Sequence, residues 1–263
     1  MKHTMCGRYV QISRVEVVEK RFGVHVPQPE LFPHNPNVSA SERAPVIASD
    51  RPGEVQLFQF GLVPHWAQKP MCLLNARAEG DHNPENTPDY QGAKGILQKP
   101  SFRKAIRSQR CLVLADAFIE GPEDRKLSEP YLVYLRKQER PFAFAGIWDE
   151  WQNPTTGELV RSFAIITAAA NSVTQRIRHH RSPVILPRDA ERDWLSLDTD
   201  LQDITELLTP YPGDRLNAYP ISPAIKNPRT KDVKTLLPIG ERLFSEEAYQ
   251  TKDDLRLEGM RPA

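Results

Sequence analysis

Proline constrains this chain more than any other residue. It occurs 24 times in 263 positions, well above its roughly 5 % share in ordinary proteins. Each proline fixes φ and removes a backbone donor, so long helices and unbroken central strands are both disfavoured. The pattern predicts a loop-rich fold of short strands rather than a helical bundle. Apolar segments at 55–60, 111–114, 131–135, 142–148 and 163–167 supply the strands. Helical spacing is expected over 10–22, 168–177 and 189–197, the last burying Trp194 and Leu195. The stretch 26–36 reads as irregular loop and 79–100 as exposed loop. Together these predict an α+β fold: a curved, mostly antiparallel, barrel-like sheet with flanking helices. A single domain is expected over 6–240, with 1–5 as an extension and 241–263 as a charged, mobile tail.

Charges nearly cancel at +1, so a nucleic-acid partner would have to be met by a local basic cluster. Arg8, Arg77, Arg103 and Arg181 are the candidates for such a groove. No apolar run approaches the roughly 20 residues of a membrane span, and no signal-peptide stretch opens the chain, so no membrane role is expected. Three cysteines, Cys6, Cys72 and Cys111, are too few and too odd for a disulfide framework and fit a cytoplasmic protein. Without a Cys-x-x-Cys or a His/Cys cluster, no metal or other cofactor is expected. Cys72 and Cys111 read as buried small apolar residues, and Trp66, Trp148 and Trp194 as core, with one alternative for Trp66. Trp66 lies near Asn75 and Arg77 in sequence, where a solvent-facing ring could stack on a base.

Cys6 follows Met5 directly. If translation starts at Met5 and that residue is trimmed, Cys6 carries an α-amine and a thiol on adjacent carbons. Such a group attacks an aldehyde through nitrogen to give an imine, then closes through sulfur into a thiazolidine; it can also attack an amide. Residues 1–5 would block the amine. They are read as an early start or as a segment lost by self-cleavage.

Asn75, Arg77 and Glu79 alternate, so in an extended segment all three face one way. That suits a solvated strand edge, or a pocket wall in which Arg77 grips a phosphate and Asn75 orients a hydroxyl. Glu120 ends the apolar run 111–119, broken only by Asp116, and suits a general acid or base. His179 and His180 follow in Arg178-His179-His180-Arg181-Ser182-Pro183. Neighbours on extended chain point apart, which favours one histidine as an acid–base group over a metal pair.

Several motifs recur in one order: Met5-Cys6-Gly7-Arg8-Tyr9, Phe60-Gly61-Leu62-Val63-Pro64-x-Trp66, Asn75-Ala76-Arg77-Ala78-Glu79 and Phe102-Arg103-x-Ala105. Arg110-Cys111-Leu112, Ala115-Asp116-x-Phe118-x-Glu120, Ala145-Gly146-Ile147-Trp148 and His179-x-Arg181-x-Pro183 follow. In this ordered set the chain resembles the SRAP-domain family, the SOS-response-associated peptidases that process abasic sites. The resemblance implies that Cys6 forms a thiazolidine cross-link with the ring-opened sugar of an abasic site in single-stranded DNA. It implies that Asn75 and Arg77 hold the sugar and its flanking phosphate, that Glu120 transfers protons, and that His179 assists ring opening and imine steps. Self-peptidase and abasic-site lyase activities would accompany this, in a monomer associated with the nucleoid when bound to DNA. The chain departs from the family at Ile119 and Gly121, where an aromatic and a tryptophan are usual, at Asn37-Val38-Ser39-Ala40, and at Lys226-Asn227.

Two other classes share parts of this pattern. Glutamine amidohydrolases also begin Met-Cys-Gly, but they carry an early His-x-Arg segment and an Asn-Gly motif. Here the only His-x-Arg is at His179, and Asn-Gly does not occur. A DNA-binding module without covalent chemistry would keep residues 1–5 and pack Cys6.

Overall fold

Apolar runs that are continuous in this sequence are buried on both faces. The computed structural model describes residues 7–88 and 90–246. In chain order its strands are β1 (Tyr9–Gln11), β2 (Asn35–Val38), β3 (Arg43–Ala48), β4 (Gln56–Phe60), β5 (Asn75–Arg77) and β6 (Arg110–Ala115). Then come β7 (Ala117–Glu120), β8 (Tyr131–Leu135), β9 (Phe142–Gln152), β10 (Leu159–Ala169), β11 (Arg181–Pro183) and β12 (Leu216–Pro220). Short helices intervene: α1 (Val15–Phe22), α2 (Ala105–Ser108), α3 (Ser172–Arg176), α4 (Glu191–Leu195) and α5 (Leu201–Glu206).

Strands β10, β4, β3, β6 and β9 form a closed circuit, because β9 returns to pair with β10. β5 and β11 continue the sheet along the C-terminal half of β10. A second sheet runs β12-β8-β7-β1-β2. Among the described strands only β4 and β5 run parallel to β10. This is the expected α+β architecture with its mostly antiparallel, barrel-like core.

Alternate residues sort to opposite sides of each strand. Cys111 and Val113 of β6, Phe142 and Phe144 of β9, and Phe163 and Ile165 of β10 share a core with Tyr9, Phe118 and Leu216 of the second sheet. Phe60 stacks on Phe163 at 5.2 Å, and Tyr9 meets Phe60 and Phe144 edge-on. Leu112, Leu114, Ala145 and Ile166 face the other way, under Val18, Ile106, Trp194 and Ile204 of the helices. The outer face of the second sheet is covered through Ile119, Tyr219, Ile225 and Leu236.

The chain crosses from the barrel into the second sheet at Asp116. Its buried carboxylate accepts from the backbone N–H of Ile12 at 2.6 Å and of Ser13 at 2.8 Å. Its own N–H donates to the Val10 carbonyl at 2.8 Å. The charge is tolerated because it satisfies the backbone where β1 ends. It also pins β1 beside β7, and so fixes where Gly7 and Arg8 emerge.

Several expectations change. The helix expected over 10–22 is β1 followed by α1, because pairing with β2 and β7 captures residues 9–11. Residues 168 and 169 belong to β10, so the helix expected from 168 begins at Ser172, capped by the Asn171 side chain. The segments that form β3 and β12 carry no alternation and were not expected as strands. The loop 79–100 buries Glu79, Asn83 and Ile96 rather than exposing them. Cys72 is exposed, because it sits on the turn after Gly61 and not on a strand; Cys111 is buried. Residues 241–246 pack instead of opening a tail: Leu243 and Phe244 lie on the core, and the Glu246 carboxylate meets Arg242 and Tyr134. The rest of the expected tail and the expected 1–5 extension lie outside the described residues.

Candidate active site

β7 delivers Glu120 to the rim of the second sheet, and the turn before β11 brings His179 to meet it. Pairing of β1 with β7, through Tyr9 opposite Phe118, sets Gly7 and Arg8 alongside. The Ile119 N–H donates to the Arg8 carbonyl at 3.0 Å. The resulting cavity encloses about 340 Å³, and Gly7, Arg8, Glu120, Glu123, His179 and His180 line it. Lys126, Lys226 and Leu74 are also in its wall.

Glu120 and His179 are buried, and His179 Nε2 lies 3.5 Å from Glu120 Oε1. His179 Nδ1 lies 3.0 Å from the Arg181 carbonyl. The Arg181 N–H donates to the same Nδ1 at 3.3 Å, so the turn fixes the ring through that nitrogen and leaves Nε2 facing Glu120. The Gly121 N–H donates to Glu120 Oε1 at 3.3 Å. The pair can hold a proton and pass it to a group standing in the cavity. Gly121 is required by close approach: a Cβ there would collide with the Lys126 backbone, which folds back over it. A tryptophan cannot occupy that position in this loop.

The adjacent histidines do not point apart. Arg178 takes a left-handed conformation, φ 63°, so the segment turns rather than extends. The His179 and His180 rings stack at 5.0 Å with 25° between planes. His180 Nδ1 lies 2.8 Å from Glu123 Oε2. Glu123 and Lys126 belong to the cavity without any sequence signal that distinguishes them from loop charges, and Lys226 stands out in the sequence only as a departure from the family.

Arg8 is half-buried, and burial lowers its pKa from the usual value although Glu42 opposes this. Its guanidinium donates to Asn37 Oδ1 at 3.3 Å and to the Lys226 carbonyl at 3.2 Å. Asn37 in turn donates to the carbonyls of Ile225, Asn227 and Thr230. The 37–40 and 226–227 departures are therefore joined through Asn37, with Ser39, Ala40 and Lys226 in the cavity wall.

Arg181 does not contribute to a basic groove. Its side chain is fully buried and pairs with Glu79 at 2.7 Å, and it also donates to the Thr167 carbonyl at 2.8 Å. Burial pushes the Glu79 carboxyl up, but the Arg181 guanidinium outweighs it and holds the group below its ordinary value. Asn75 and Arg77 lie on β5, with Leu74 reaching the cavity just before them. The Arg77 guanidinium is turned to the loop, donating to the Asn83 carbonyl at 2.6 Å and to Asn86 Oδ1 at 3.0 Å. Trp66 is 45 % exposed, outside the cavity, and its indole N–H donates to the Pro100 carbonyl at 3.3 Å. Trp148 and Trp194 are core, as expected. Cys6 lies outside the described residues; Gly7, bonded to it, lines the cavity.

The family model of the SOS response associated peptidase (SRAP) matches residues 5–228. The abasic site processing protein YoqW of Bacillus subtilis is 32 % identical over 233 residues, covering 86 % of this chain and 96 % of that protein. YobE of the same organism, also named an abasic site processing protein, is 31 % identical over 232 residues, 85 % and 97 % of the two chains. A crystal structure of a Bacteroides thetaiotaomicron protein superposes with a TM-score of 0.74 at 29 % identity, covering 89 % of this chain and 99 % of that one.

Proposed function

This chain belongs to the SRAP family, and from that premise we propose that it processes abasic sites in single-stranded DNA by capping them covalently through Cys6. One observation carries the reading: Gly7, the residue after Cys6, lines the same cavity as the Glu120–His179 pair. A nucleophile at the chain's working N-terminus would then enter beside a buried acid–base pair. The α-amine attacks the aldehyde of the opened sugar, the carbinolamine loses water to give an imine, and the thiol adds to the imine carbon. Its proton passes to nitrogen, so the net change is loss of one water. An imine also permits β-elimination, so weak lyase activity is part of the proposal. Arg8 and the cavity lysines supply contacts for flanking phosphates.

The test is a single-stranded oligonucleotide with one abasic site, mixed with protein whose first residue is verified as Cys6 by intact mass. A heat-stable adduct should form without borohydride. Cys6→Ala should abolish it while leaving non-covalent binding intact, and Glu120→Gln should slow it by about 100-fold, a general acid–base contribution. Equal adduct yield from Cys6→Ala would overturn the assignment.

A further inference from the structure

The proposed reaction moves protons among nitrogen, oxygen and sulfur at a single carbon. From aldehyde through carbinolamine to imine, nitrogen loses two protons and the carbonyl oxygen gains two, leaving as water. As the ring closes, sulfur loses its proton and nitrogen regains one. Glu120 and His179 can carry protons from and to nitrogen. A second group beside them would serve oxygen and sulfur without waiting on that pair, giving a proton to the leaving oxygen and recovering one from sulfur.

A second pair stands in the same cavity. His180 Nδ1 stands 2.8 Å from Glu123 Oε2, at ion-pair distance though off hydrogen-bond alignment, and its ring stacks on His179 at 5.0 Å. The side chains of His179 and Glu120 are 5 % and 9 % exposed, against 21 % and 47 % for His180 and Glu123. The inner pair is shut from bulk water and the outer pair is wetted, as a group that exchanges protons with solvent must be. Burial and then the His179 charge lower the His180 pKa from its ordinary value, while Glu123 opposes them and Arg181 adds to them. Other charges around it come from several elements. Glu120 ends β7, Lys126 lies on the following loop, and Arg8 and Lys226 stand elsewhere in the cavity wall. Arg178 precedes it and is paired with Glu129.

Resting on the covalent reading above, we propose that His180, oriented by Glu123, is a second acid–base group of this cavity, serving oxygen and sulfur while Glu120 and His179 serve nitrogen. The stacking makes this division workable. Two imidazoles in contact do not readily carry charge together, so a proton on one favours a neutral partner. One ring is then an acid while its neighbour is a base.

The variants are His180→Gln and Glu123→Gln, assayed with the abasic oligonucleotide between about pH 5 and 8. His180→Gln should slow borohydride-independent adduct formation by about 10- to 100-fold, raise the share of adduct that borohydride traps as imine, and flatten the acidic inflection of the profile. Non-covalent binding should stay within about twofold. Histidine ring NMR without DNA gives a readout independent of the reaction. Glu123→Gln should move the His180 midpoint further down. Wild-type protein that forms no adduct, with the lowered His180 midpoint intact, would overturn the covalent reading alone. His180→Gln with the wild-type rate and pH profile would overturn the second group, as would a slower rate with weakened binding and an unchanged profile.

Discussion

At the scale of single residues, Arg181 and Glu79 carry the clearest lesson about charge. Both stand in motifs shared with the family, and both read in the sequence as polar groups facing a ligand. Instead they form a buried pair, reinforced by the Glu79 carboxylate accepting from the Ala169 N–H at 3.0 Å. Glu79→Gln leaves a guanidinium buried without its counter-charge, and the expected loss is about 3–5 kcal/mol of stability in urea unfolding. A loss below about 1 kcal/mol would show that the pair is not structural. The pH dependence has a definite sign. Glu79 has a depressed pKa in the folded protein, so its contribution is complete above the ordinary glutamate value near 4.3 and is lost as pH falls through the folded value. The acid limb of the stability curve should therefore flatten in Glu79→Gln. A limb identical to wild type would assign acid sensitivity to other carboxylates.

At the scale of elements, the strands that sequence reveals most plainly are those buried on both sides. β6 and the stretches 142–148 of β9 and 163–167 of β10 are apolar because one face meets the aromatic core and the other meets the helices. β3 and β12 were missed because Arg43-Ala44-Pro45 and Leu216-Asn217 break any run or alternation, and long-range pairing decides their state. The start of the chain's first helix was misplaced for the same reason. At the site, Glu120 and His179 were legible because a carboxylate ends an apolar run and a histidine sits in a family motif. Glu123 was not, since only the turn at Gly121 and Arg178 brings it to His180. Asp116 shows how an element is positioned by one group. Asp116→Ala would strip the acceptor from two buried or half-buried N–H groups of the β1 end, costing about 3 kcal/mol or more. Adduct formation should fall further than stability alone explains, because β1 carries Gly7 into the cavity. If adduct yield under folded conditions is unchanged, Asp116 does not position the N-terminal strand.

At the scale of the whole molecule, a net charge of +1 leaves no long-range field to hold a polyanion, so DNA contact has to be local. The cations lining the cavity are Arg8, Lys126 and Lys226, with two carboxylates among them. Each phosphate neutralised on a single strand contributes a slope of about −0.7 to log K against log salt, so three contacts give about −2. Measured on Cys6→Ala to exclude covalent capture, binding to the abasic oligonucleotide should show that shallow slope. Lys126→Gln with Lys226→Gln should reduce it by about 1.4 with little change in thermal midpoint, since both lysines are exposed. Arg77 enters the same balance differently. Its guanidinium is held by Asn83 and Asn86, so Arg77→Ala should loosen the 79–90 loop, seen as faster amide exchange there, whether or not a phosphate also meets it. A slope of about −5 or steeper would require far more contacts than the cavity offers. The DNA path would then run across faces of the protein beyond β1, β7 and the turn before β11.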